Sequence, residues 1–121
     1  MSQLGALPPE LAAQSISRRE IVLPLAAALA CVDFCVLHRL PIYGWEGWVR
    51  TADGRVGHGS AQQGTVCLAD WPLEDAAEFC RRTMVSDAEM WQVENPGTTD
   101  TLHFCITIGG TPESPRPCGR T

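Results

Sequence analysis

Three groupings in this 121-residue chain combine residue types and spacing that could do chemistry. Cys31, Cys35 and His38 fall at i, i+4 and i+7, one stripe of a helix, and thiolate and imidazole both ligate metals. Structural zinc needs four ligands, usually in tighter pairs, so the row reads better as two packed thiols and a solvated His38 at a helix end. A cysteine nucleophile could draw on six cysteines and on His38, His58 or His103. No cysteine, however, falls at a nucleophile elbow or helix N-terminus that would lower its pKa. Glu46 and His58 could act as a general acid–base pair, but the hairpin register derived below sends them to opposite faces.

Other chemistries lack their residues. All nine basic residues are Arg, so neither a P-loop lysine nor a Schiff-base lysine exists. Gly54, Gly57, Gly59 and Gly64 do not follow the dinucleotide fingerprint, and they precede a strand and loop rather than a helix N-terminus. No CxxC pair occurs. The expectation is a protein without catalysis, cofactor or metal.

Charge narrows the partners. Nine arginines against fourteen acids give a net charge of −5, which argues against nucleic acid and against an anionic membrane surface. Between Asp70 and Asp100, eight acids stand against only Arg81 and Arg82. That run suits a solvated helix face and equally a docking surface for a basic protein. Cys31, Cys35, Cys80 and Cys105 lie in apolar segments, so the six cysteines are read as reduced structural thiols and the compartment as cytoplasmic. Residues 17–31, from Ser17-Arg18-Arg19 to Cys31, look like a twin-arginine leader ending at a lipoprotein cysteine. Ala28 stands where that pattern has Leu, Pro24 interrupts the apolar run, and the run continues past Cys31 to Leu37. The segment is read instead as a strand entering a helix, too short and interrupted to span a bilayer.

The elements that must position these groups follow from periodicity. Residues 1–14 read as a flexible arm, 15–108 as one α+β domain and 109–121 as a flexible Pro-rich tail. A strand over Arg19–Leu23 leads at Pro24 into a helix ending near Leu40, with Leu25, Ala28, Leu29, Val32, Cys35 and Val36 as its inward stripe. A strand over Ile42–Thr51 turns at Asp53-Gly54 and returns from Arg55 to about Ala61. Asp70 is the N-cap expected for a helix whose apolar face is Leu73, Ala76, Ala77, Cys80 and Met84. The Ser86–Glu89 capping-box spacing predicts a further short helix. The last strand alternates, with Leu102, Phe104, Ile106 and Ile108 opposite His103, Cys105 and Thr107. The order β-α-β-β-α-β predicts a ferredoxin-like, four-stranded antiparallel sheet with helices on one face.

The hairpin carries the most information. A two-residue Asp53-Gly54 turn pairs Val49 with His58, Trp48 with Gly59 and Glu46 with Ala61. Tyr43, Trp45, Val49, Val56 and His58 then face the core, while Glu46, Trp48, Arg50 and Arg55 face outward. An outward Trp between charges, on a floor of small residues, has the ingredients of a binding hot spot. The expected partner surface is Glu46, Trp48, Arg50 and Arg55, together with Glu74, Asp75 and Glu78. This profile (small, acidic, α+β, an aromatic patch and no catalytic set) is similar to that of bacterial toxin-immunity proteins. The resemblance implies a non-enzymatic module that binds a basic toxin and blocks it. The alternative is a small-ligand or enzymatic domain, a homodimer across the bare sheet face, with a pocket around Trp45, Trp48 and His58.

Overall fold

Apolar runs and period-two alternation are each consumed by one layer of the structure, a computed structural model that describes residues 3–58 and 66–110. A 3₁₀ turn (Gln3–Ala6) and a short helix α1 (Pro9–Ala12) precede β1 (Ile21–Pro24), α2 (Leu25–Leu37) and β2 (Ile42–Arg50). Then come β3 (Val56–Gly57), α3 (Leu73–Glu94) and β4 (Thr101–Ile108). The four strands form one antiparallel sheet in the order β1-β4-β2-β3. The last strand of the chain thus lies inside the sheet. The crossover through α2 straddles β4, and the crossover through α3 straddles β2, so both halves are split β-α-β units.

Both crossover helices pack on the same face. Ile21, Leu23, Ile42, Trp45, Phe104, Ile106 and Ile108 from the sheet meet Ala28, Cys31, Val32 and Cys35 of α2 and Ala77, Cys80 and Met84 of α3 in one buried cluster. The apolar run after Arg18-Arg19 is therefore accounted for by β1 and the buried face of α2. None of the described helices is long and apolar enough to cross a membrane.

Helix boundaries differ from the sequence reading in instructive ways. Helix α2 stops at Leu37, short of Leu40, in a Schellman closure: Leu40 N–H donates to Cys35 O at 2.9 Å and Arg39 N–H to Val36 O at 3.3 Å. Arg39 occupies the left-handed position of that closure, with φ of 58°. Helix α3 is one helix of 22 residues where two were expected. No Gly or Pro interrupts it, and Trp91 continues the buried stripe of Cys80 and Met84, so burial overrides the Ser86–Glu89 capping signal. The residue at its N-cap is Pro72 rather than Asp70.

The N-terminal segment, expected as a flexible arm, is tied down from Gln3 onward. Leu7 and Leu11 join the core. The Gln3 carboxamide brackets Ile108, donating Nε2–H to its carbonyl and accepting its N–H at 3.1 Å. This pairing extends the end of β4. One residue further on, Gly109 N–H donates to Pro41 O at 2.8 Å. The expected tail beyond residue 110 lies outside the described residues.

Candidate functional site

The hairpin turn sets which side chains share a face. Thr51 N–H donates to Arg55 O at 2.8 Å, and Gly54 N–H donates to Thr51 O at 2.9 Å. Gly54 adopts φ of 92°, the left-handed conformation that closes a three-residue hairpin loop. Pairing is accordingly Val49 with Gly57 and Arg50 with Val56. This register is offset by one residue from the one a two-residue Asp-Gly turn gives. Side chains stabilise the longer loop: Thr51 Oγ1 accepts Arg55 N–H at 3.0 Å and donates to the Asp53 carboxylate. Asp53 in turn accepts Arg55 Nε–H at 3.1 Å, and these bonds hold its carboxyl below the usual carboxylate range.

The shift moves the returning strand to the other face. His58 was expected in the core, on the face away from Glu46. It instead lies beside Glu46, with Nε2 3.7 Å from Oε1, and its Nδ1 is 3.0 Å from Gly47 O. Its ring also meets Trp48 edge-on at 5.7 Å. Val56, likewise expected inside, is exposed. Glu46, Trp48 and His58 thus converge on the face turned away from the helices.

Strand β4 completes that face. Trp48 pairs with His103, Glu46 with Cys105 and Arg50 with Thr101. His103 is 7% exposed; burial, reinforced by the nearby Arg50 charge, pushes its imidazole below the ordinary value, against an opposing bond to Thr101 O. Burial, with Glu20 and Glu46 adding, pushes the Cys105 thiol up to about 12. A thiol held that high is protonated at neutral pH and is no nucleophile. Sequence reasoning named His103 only as a generic histidine, although the alternation of β4 already set it beside Cys105. What was missing was the sheet order that brings Trp48 alongside.

The other nominated residues go elsewhere. Trp45 lies on the helix face, 5% exposed, donating its indole N–H to Thr83 Oγ1 at 2.9 Å and meeting Phe104 edge-on at 5.3 Å. A shared pocket of Trp45, Trp48 and His58 is therefore not formed, because the sheet separates the first from the other two. Glu74 and Glu78 pair with Arg39 and Arg81 at 2.8 and 3.8 Å, and Asp75 is exposed beside them. All three sit on α3, across the sheet from Trp48, so they do not join Glu46 and Arg50 in one contact surface. Arg55 sits at the hairpin tip, paired with Asp53.

Cys31 and Cys35 are buried between the helices, and the hydrogen bond between their thiols together with burial raises the Cys31 pKa. Burial likewise pushes Cys80 up to about 12. His38 is exposed and stacks on Phe34 at 4.2 Å. Among the described residues no three His, Cys, Asp or Glu side chains are placed to hold a metal ion. One cysteine departs from the reduced reading: Cys67 is disulfide-bonded, while Cys31, Cys35, Cys80 and Cys105 are free. Cys118 lies outside the described residues.

Fold and site together define a small α+β sheet protein with one helix-covered face and one face carrying an aromatic, charged cluster. No protein-family model, curated protein or solved structure matches the chain.

Proposed function

We propose that the chain is a non-enzymatic protein-binding module of inhibitor or immunity type, built on a four-stranded antiparallel α+β scaffold, that docks a basic partner through the cluster around Trp48. The observation that carries this reading is the Trp48 indole. Its Nε1–H is shielded from water yet has no acceptor among the described residues, and the ring stands between the Glu46–His58 pair and the exposed Arg50. An orphaned buried donor costs about 1–3 kcal/mol, and a partner recovers it where docking turns the half-buried ring so that the N–H meets an acceptor. Trp flanked by charge is also the residue type that dominates protein interfaces. The acids Glu74, Asp75 and Glu78, being on the other layer, act at a distance: they steer a basic partner and raise its association rate. Cytoplasmic residence fits such a module less well than the sequence suggested, since the Cys67 disulfide favours an oxidising compartment.

The test is capture with the full chain as bait, followed by titration with the captured protein. A stoichiometric, salt-sensitive complex with a basic protein is expected, weakened at least about tenfold by Trp48→Ala, a loss within the usual hot-spot range. Neutralising Glu74, Asp75 and Glu78 slows association and leaves dissociation unchanged. A complex indifferent to Trp48→Ala, a homodimer burying Trp48, or no complex at low salt overturns the reading.

A further inference from the structure

On the helix side, away from Trp48, the mismatch between the two long helices leaves a groove. Helix α3 has 22 residues and α2 has 13. The two run antiparallel, as the Arg39–Glu74 and Arg81–Asp33 pairs show, so α2 begins opposite the last turns of α3. The gap there encloses about 500 Å³, within the roughly 300–1,000 Å³ of small-molecule sites. Leu25 forms one wall, Val85 and Ala88 the other, and Trp91, Leu102 and Phe104 line the rest. Among the described residues its charged members are Glu89 and Asp100, and no basic side chain lines it. Neither carboxylate pairs with a basic side chain among the described residues.

We infer that this groove, formed by the first turn of α2, the last turns of α3 and the start of β4, binds a small organic cation with an apolar body. The apolar walls take the hydrocarbon part, and Glu89 and Asp100 take the ammonium. The competing field comes from the N-terminal end of α2, which favours an anion with only about half a unit charge, against two full carboxylate charges. This site is independent of the partner surface around Trp48, so either can fail alone.

The experiment titrates the full chain with 2-phenylethylamine, 2-phenylethanol and 3-phenylpropionate, following backbone amide shifts. Saturable shifts are expected at Val85, Ala88, Trp91 and Leu102. The ammonium should bind about two- to fivefold tighter than the alcohol, the advantage expected of exposed ion pairs, and the carboxylate weakest. The double variant Glu89→Gln, Asp100→Asn should erase that preference while its melting temperature stays within a few degrees of the parent. Absence of saturable ammonium binding, a carboxylate that binds as well, or a preference that survives the double variant overturns the inference.

Discussion

Trp45 and Trp48, three residues apart on β2, point to opposite faces of the sheet and have opposite hydrogen-bonding fates. The indole of Trp45 is buried and donates to Thr83 Oγ1 at 2.9 Å, whereas the indole N–H of Trp48 has no acceptor among the described residues. Removing the partner of the first should therefore hurt, and removing the orphaned donor of the second should not. Thr83→Val strands the Trp45 N–H in the core and should cost about 1–3 kcal/mol. Trp48→Phe keeps an aromatic ring and discards the unsatisfied donor, so its stability should stay within about 0.5 kcal/mol of the parent or exceed it. Urea denaturation of the two variants checks the contrast, and equal losses would contradict it.

His103 makes stability fall with acid. Burial holds its folded-state pKa below the ordinary imidazole value near 6.5, and the neighbouring Arg50 charge acts in the same direction. As pH drops through 6.5 the unfolded chain takes up a proton that the folded chain refuses, so the unfolded state gains. The stabilisation is complete above that value and declines below it until the folded group also protonates. His103→Gln should therefore show a shallower loss of stability between pH 7 and pH 5 than the parent, measured by urea midpoints across that range.

Much of the fold was legible because it is periodic. Alternation placed Phe104, Ile106 and Ile108 on one side of β4 and His103 and Cys105 on the other, and the odd spacing of Trp45 and Trp48 separated them. What escaped was decided by contacts far along the chain or by side-chain bonds in turns. The Asp53-Gly54 pair suits a two- or a three-residue loop, and the bonds among Thr51, Asp53 and Arg55 chose the longer one, carrying His58 to the face of Glu46. The Ser86–Glu89 signal was sound locally and lost to the burial of Trp91. The juxtaposition of Trp48 with His103 depends on β4 inserting beside β2, which no local pattern encodes.

Gly109 is required by its neighbour rather than by its backbone angles. A β-carbon there would overlap the phenol ring of Tyr43, several of whose atoms crowd the position. The residue is buried and its N–H is held by Pro41 O, so the backbone has little room to retreat. Gly109→Ala should destabilise by about 1–3 kcal/mol, the usual cost of overpacking. Tyr43→Ser in the same chain should recover part of that loss. A double variant no more stable than Gly109→Ala alone would show that the collision is not the cause.

Arg39 pays the opposite kind of cost. It closes the Schellman turn of α2 with φ of 58°, a conformation that costs a residue with a β-carbon about 1–2 kcal/mol and glycine almost nothing. Against this stands its bond from Nη1 to Glu74 Oε2 at 2.8 Å, which holds the Glu74 carboxyl below its ordinary pKa. Both side chains of that pair are largely in water, where screening leaves an ion pair little net worth. Relief of the backbone should therefore win, and Arg39→Gly should raise the melting temperature by a few degrees for a chain of this size. Glu74→Gln measured in both backgrounds isolates the ion pair: it should lower stability slightly beside Arg39 and not at all beside glycine. A destabilised Arg39→Gly would mean that the pair outweighs the strained turn.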